Sequence, residues 1–419
     1  MRQWRNHIRA LGPGLVYAGA AVGVSHLVQS TRAGAEYGFS LLWAVLLAHV
    51  FKYPAFEAGS RYTYATGRSL VQGYAGMGVA ARLLFGLITL GGMFIIMAAI
   101  CLVTAGICES VFAFQWSPAL WVAALLALCG GILAWGRYRM LDRSMRLVVL
   151  LLTLASLLAL LMVFRHAHGV PQNAASLSPE WSWEAGPVLF LLALMGWMPA
   201  PIDLSAWQSV WIREKMQDQP WLPWDGIRFD FHAGYIGACL LAVIFMSLGA
   251  LILHPSGTPM PTGGAAFATR FINIFTDTIG AWIRPVIALA ALATMFSTSL
   301  TVMDAYPRML VELWQYRRGA ETPALTSTSA TQGYYAGLLA MAAGAMALVV
   351  GAQQAMTTMV DFATMLSFLT APVLAALNYR LLQTAKLAPP YRLGPWMHAW
   401  HLLGLLFMVA FSLVFLYVQ

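Results

Sequence analysis

Charge is what this sequence has least of. Only 10% of its 419 residues are Asp, Glu, Lys or Arg, against about a quarter in soluble domains. Sixty per cent are hydrophobic, so an ordinary soluble protein is excluded. Cysteine is also scarce. Cys101, Cys108, Cys129 and Cys239 lie in apolar surroundings without paired metal spacing, and read as small hydrophobes rather than a disulfide framework or cluster site. Nucleophile elbow, phosphate loop and HExxH helix are all missing, which sets the enzyme classes aside. Short dyad alternation is missing too, which argues against a membrane barrel. No small-residue cleavage site closes the apolar run after the basic stretch Met1–Arg9, so the first segment is expected to be retained.

Apolar runs of spanning length fill the chain. Eleven are counted, at about 11–34, 39–59, 83–113, 117–135, 145–164, 187–211, 233–253, 279–305, 332–351, 355–379 and 398–418, each near the roughly 20 residues a bilayer requires. The expectation is an all-α polytopic membrane protein. The longest polar connections, about 165–186, 212–232, 254–278 and 315–331, are too short for a soluble domain. Trp211 to Phe231 reads as an interfacial loop, and Thr322 to Thr331 as a flexible one.

Lys and Arg bias sets the expected orientation. With the N-terminus in the cytoplasm, most basic residues fall inside, and only Arg32, Lys52, Arg165, Arg270 and Arg284 lie elsewhere. This distribution explains the net charge of +8 without nucleic acid. It predicts a bacterial-type inner (plasma) membrane protein with its C-terminus outside and a lipid bilayer for surroundings; no small-xxx-small face stands out among the glycines, so a monomer is expected.

Two segments are interrupted where they should be oiliest. The first carries Gly19-Ala20-Ala21-Val22-Gly23-Val24-Ser25-His26, and the sixth carries Gly196-Trp197-Met198-Pro199-Ala200-Pro201. Each proline removes a backbone donor and clashes with the preceding turn. Non-helical backbone at membrane depth is tolerated where it is buried in protein or lines a wet cavity. The breaks are five segments apart, the spacing of two five-helix halves of inverted topology with a site at the midplane between them. The halves are expected at 1–164 and 187–380, with 398–418 as an extra helix.

The residues resemble the Nramp family. Gly12-Pro13-Gly14 opens the first segment; Ala33-Gly34-Ala35-Glu36-Tyr37-Gly38-Phe39-Ser40-Leu41-Leu42-Trp43 is similar to the family run AGSxFGYxLLW. Ala65-Thr66-Gly67-Arg68-Ser69-Leu70 resembles TGRDLA, and Met198-Pro199 matches the MP of the sixth-helix motif. Val360-Asp361-Phe362 and Ala371-Pro372 fit the tenth helix loosely. The resemblance implies a LeuT-type inverted-repeat fold and a secondary transporter working by alternating access. It also implies a divalent metal as substrate, but the ligands have changed. The family's Asp-Pro-Gly-Asn falls on Gly23, Val24, Ser25 and His26, and its MPHN on Met198, Pro199, Ala200 and Pro201.

Two cargoes remain. A divalent cation prefers carboxylate, carbonyl or imidazole ligands, and neither break keeps a carboxylate; Asp203, just past the second, could replace it or cap the following half-helix. A small inorganic anion such as bicarbonate would instead meet the amides of two half-helix N-termini, with Ser25 and His26 as donors. The anion is the preferred expectation; a divalent metal of the Mn, Mg or Fe type, with protons as an optional coupling ion, is the alternative. Gly23, Val24, Ser25, His26, Gly196, Trp197, Met198 and Ala200 form the expected substrate site. The alternative reading of His26 is a satisfied core histidine. No cofactor and no resident metal are expected. A coupling sodium ion would sit near Ala20, Thr294, Ser297 and Thr298, although such hydroxyls commonly bond their own backbone. Lys52, Glu57, Glu109, Asp304 and Asp361 are further ionisable candidates within spans. Lys52 and Glu57 could neutralise each other. His166 and His168 read as a solvated turn.

Overall fold

The computed structural model describes residues 10–135, 138–165, 181–317, 328–352 and 355–418, with side chains at 138–149, 317 and 352 left aside; His166 and His168 lie outside these residues. Fifteen α-helices and no strand occur among them. The first segment consists of α1 (Pro13–Ala21), a π-helical stretch Ser25–Ser30, and α2 (Thr31–Tyr37). Next come α3 (Leu42–Thr66), the short α4 (Leu70–Gly76), α5 (Val79–Phe112), α6 (Pro118–Ala134) and α7 (Tyr138–Arg165). The sixth segment is two helices, α8 (Ala185–Trp197) and α9 (Leu204–Asp218). Then follow α10 (Trp224–Leu248), α11 (Gly264–Ile279), α12 (Arg284–Arg317), α13 (Thr328–Ala352), α14 (Met356–Thr384) and α15 (Pro395–Val418).

Six helical stretches are long and apolar enough to cross a membrane, and three shorter apolar helices accompany them. Helix α3 has spanning length but carries Lys52, Glu57 and Arg61, which lowers its hydropathy. Leu339, Leu406 and Leu416 are exposed on α13 and α15, as side chains facing acyl chains would be.

Two connections expected as loops are largely helical. Between Trp211 and Phe231, α9 runs on to Asp218 and α10 begins at Trp224, so only the proline-punctuated turn around Pro220 and Pro223 is irregular. Within 254–278, α11 forms because Phe267, Ala268, Phe271, Ile272 and Phe275 recur at helical spacing and bury one face. Of the stretch 322–331, residues 322–327 lie outside the described residues, and Thr328 already belongs to α13.

The start of the first segment is held by side chains from far along the chain. Pro13 sits in the first turn of α1, and Asp230 on α10 accepts from the amides of Gly12 and Gly14 at 2.8 and 2.7 Å. A carboxylate there satisfies amides with no helical partner and opposes the positive end of the helix dipole. Gly14 lies against the backbone of Asp230, and Gly234 against the carbonyl of Gly14, so a methyl at either position would collide with main chain. Thus Gly12-Pro13-Gly14 is a seat for α10, and α10 in turn supports the first break.

Candidate functional site

The first interruption is gentler than the sequence led us to expect. Helix α1 ends at Ala21; Val22 and Val24 keep right-handed helical angles, and the π-helical stretch starts at Ser25. No long unwound run forms, because only Gly23 departs from good packing residues, and it does so for space. A Cβ on Gly23 would stand 2.7 Å from Thr298 Oγ1 and 2.8 Å from Thr298 Cγ2. The missing side chain lets the first segment press onto α12.

The expected donors at this break are committed. The Ser25 hydroxyl donates to the carbonyl of Ala21 on the preceding turn. His26 is fully buried, with Nε2 donating to the carbonyl of Ala238 at 2.8 Å and Nδ1 2.8 Å from Ser25 Oγ. A hydroxyl has one hydrogen and a carbonyl has none. With a neutral imidazole, Ser25 must therefore share its proton between Ala21 and His26; either way, neither side chain has a hydrogen to spare for an anion.

The sixth segment is truly broken. Helix α8 stops at Trp197, Met198 is extended (φ −95°, ψ 123°), the Met198–Pro199 peptide is cis, and helix resumes at Leu204. The amides at the head of α9 are used locally: Leu204, Ser205 and Ala206 donate to the carbonyls of Pro201, Ile202 and Asp203 at 2.9–3.1 Å. With those amides spent, the anion cradle expected here does not form. Asp203 does not cap the helix either, since it makes no capping hydrogen bond. Its Oδ2 accepts from the Tyr306 hydroxyl at 2.5 Å, whereas its Oδ1 is buried without a partner among the described residues. A buried carboxylate oxygen left open is costly unless something fills it.

Ala20, Val24 and Ser25 of the first segment and Trp197, Pro201, Leu204 and Trp207 of the sixth enclose a cavity of about 30 Å³, closed by Thr298 and by Ile96 and Ile100 of α5. A water needs about 10–15 Å³ measured this way, so one or two water-sized particles fit and a four-heavy-atom oxyanion does not. Five of the expected residues therefore meet at one small space: Ala20, Val24, Ser25, Trp197 and Thr298. The others do not line it. Gly196 is pressed against the Thr364 carbonyl of α14, Met198 Sδ accepts from Ser30 Oγ at 3.8 Å, Ala200 is buried, and His26 points to α10.

The hydroxyls proposed for sodium bond their own helix. Thr294 donates to Ala290 O at 2.7 Å and Thr298 to Thr294 O at 3.1 Å, while Ser297 is half-buried and does not line the cavity. The ionisable residues also find partners the sequence did not reveal. Glu57 pairs with Arg61 at 2.6 Å rather than with Lys52. Arg32 of α2 bridges Glu36 and Asp361 of α14 at 3.4 and 2.7 Å, joined by Gln29. Asp304 holds Arg308 at 3.0 Å and accepts from Tyr334. Arg213 and Ser69 both engage Glu312 Oε1, the latter at 2.5 Å. Glu109 lines a separate open cleft with Arg270. The four cysteines are free, with Cys101, Cys108 and Cys129 buried. Among the described residues, no group of three or more His, Cys, Asp or Glu is placed to hold a metal ion.

A polytopic helical bundle with two interrupted helices around a small enclosed cavity is the architecture of a carrier. The match to known proteins gives its family. The model of the Natural resistance-associated macrophage protein-like (Nramp) family covers residues 14–418, and the chain belongs to that family of transporters. Uncharacterized protein PM0681 of Pasteurella multocida is 35% identical over 418 residues, covering 99% of this chain and 93% of that one. Among solved structures, a mutant of the Eremococcus coleocola manganese transporter matches with a TM-score of 0.71 at 14% identity, over 98% of this chain and 86% of that one. MhsT, solved with L-phenylalanine, matches at 0.61 and 16% identity, over 97% and 98%. These likenesses establish a shared LeuT-like fold.

Proposed function

We propose that the protein is a secondary transporter that carries a divalent metal ion across the membrane by alternating access, with a site remodelled around Asp203. The carrying observation is the unpartnered Oδ1 of this buried carboxylate at the break, whose chain neighbours Pro201 and Leu204 line a cavity of ionic size. Hard and borderline cations seek oxygen ligands, and a carboxylate is the group whose absence would make their desolvation most costly. Family membership and the fold shared with a manganese transporter support the same reading. The anion reading retains one observation, the lack of a cluster of three ligating side chains among the described residues. It loses the free hydrogens and amides it requires.

Eleven crossings arranged as two inverted five-helix halves, 1–164 and 187–380, with α15 added, would place the two interruptions together. A cytoplasmic N-terminus, an external C-terminus and a bacterial inner membrane complete the proposal, with the monomer as the working unit. Purified protein in liposomes loaded with a metal-sensitive dye tests it. Saturable entry of Mn²⁺ or Mg²⁺, with no change of internal pH on adding bicarbonate, is expected; a bicarbonate response without metal entry would reverse the assignment.

A further inference from the structure

Away from the cargo cavity, two opposite charges line one space without meeting. Glu109 stands in the last turn of α5 and Arg270 on α11, and both line a cleft of about 500 Å³. Both are half-buried, yet they make no ion pair with each other among the described residues. The two walls are fixed against one another. A Cβ on Gly106 of α5 would stand 2.3 Å from the main chain of Gly264 at the head of α11, and the hydroxyls of Ser110 and Thr269 are 3.0 Å apart.

Each wall suits one sign of charge. Arg270 uses Nη2 on Ser256 Oγ at 3.0 Å. A guanidinium has five N–H donors in a planar fork, so hydrogens remain for an oxyanion. Asn273 lines the cleft on the same helix, and its Oδ1 already accepts from Arg284 Nη1 at 3.3 Å, which leaves its amide hydrogens for an acceptor. The Glu109 carboxylate has only lone pairs to offer and suits an ammonium. Ala113 follows α5 with φ 56°, a left-handed conformation uncommon outside glycine. Strain of this kind collects at binding sites, and here it turns the chain out of the helix where Phe114 and Gln115 line the cleft.

Aromatic rings mark the depth of the cleft. Phe112, Phe114 and Trp116 are exposed, and Phe114 and Trp116 pack on Trp121 of α6 with ring centroids 6.1 and 4.8 Å apart. Exposed aromatic clusters of this type sit at the headgroup level of a bilayer. Phe114 belongs to both the cluster and the cleft.

We propose that this cleft binds the headgroup of a phospholipid of the phosphoethanolamine type, with its phosphate on Arg270 and Asn273 and its ammonium on Glu109. A choline headgroup has no N–H to give Glu109, and a glycerol headgroup brings no cation to it. With the orientation proposed above, the lipid belongs to the outer leaflet. Arg270 also holds Ser256, in the turn whose His254 bonds the Ala35 carbonyl of α2 at 2.9 Å, so the lipid braces the first segment from this end. The proposal stands on the membrane architecture and is independent of the cargo.

Purified full-length protein in detergent is titrated with dioleoyl phosphatidylethanolamine, phosphatidylcholine and phosphatidylglycerol, and bound lipid is measured by native mass spectrometry. Wild type should bind phosphatidylethanolamine about tenfold more tightly than the other two, the contribution of one charge-assisted hydrogen bond. Glu109→Gln should lose that preference, and Glu109→Lys should reverse it in favour of phosphatidylglycerol, a switch that a merely structural residue would not produce. Equal binding of the three lipids by wild type, or an unchanged preference in Glu109→Gln, overturns the proposal. Should the Glu109 variants fail to fold, Arg270→Gln decides: it should weaken phosphatidylethanolamine and phosphatidylglycerol alike, and undiminished binding overturns the proposal. Free phosphoethanolamine should displace the bound lipid. Displacement by free alanine instead makes the occupant a soluble zwitterion, and the lipid assignment falls.

Discussion

Alanine at Gly23 tests whether the first interruption is a packing device. The added methyl would stand 2.7 Å from Thr298 Oγ1, 2.8 Å from Cγ2 and 3.1 Å from Cβ. Carbon contacts settle near 3.5–4.0 Å, so all three atoms are too close. The Thr298 hydroxyl is tied to Thr294 O, and Thr298 is buried, so rotating it away exchanges one strain for another. Overpacking of this kind costs about 1–3 kcal/mol, or roughly 2–6 °C in unfolding temperature. Thr298→Ala removes two of the three atoms and leaves Cβ, which must give by a few tenths of an ångström. Gly23→Ala/Thr298→Ala should therefore recover most of the lost stability, with a coupling energy of about 1–2 kcal/mol in the double-mutant cycle. The assay is thermal unfolding of the four proteins in one detergent, beside metal uptake in liposomes. Full stability of the Gly23→Ala protein, or simple additivity in the cycle, would refute the account of the break.

Other perturbations separate packing contacts from the site. Glu312→Gln leaves Arg213 buried beside a neutral amide, and should cost about 3–5 kcal/mol in unfolding measurements. Ser69→Ala removes one acceptor of a reciprocal capping pair with Gln72 and should cost only about 1 kcal/mol. Asp361→Asn weakens the tie between α2 and α14, but Arg32 keeps Glu36 and Gln29. Its cost should stay near 1–2 kcal/mol and change little with salt, because the pair is half-buried. His26→Ala leaves the Ala238 carbonyl unanswered and should destabilise by about 1–3 kcal/mol without abolishing metal binding.

The all-helical membrane architecture was legible because spanning helices must bury their own backbone, and that requirement writes long apolar runs into the residues. The second interruption was equally plain, since Pro199 and Pro201 cannot continue a helix. Its partner was harder to read. Gly19, Gly23, Ser25 and His26 looked like unwinding, yet the segment stays helical because Ser25 and His26 bond neighbouring turns and α10. What the residues could not tell was which side chains answer which. Asp203 meets Tyr306, 103 positions away, and Lys52 reaches carbonyls 143 and 144 positions on. Local spacing instead favoured capping for Asp203 and left the partner of Lys52 unassigned. A charged residue inside a span, five positions from its nearest opposite charge, was the one available signal for Lys52. It marked the residue without naming its partner.

The central claim is that Asp203 is the carboxylate that receives the cargo. Equilibrium binding of radiolabelled manganese to purified wild type and Asp203→Asn measures it directly. The amide keeps the Tyr306 hydrogen bond and the volume, so folding should persist. Saturable binding to wild type that falls at least about tenfold in the variant, the loss of one charged ligand, is the predicted result. Equal binding by both proteins, or none by wild type, would contradict it.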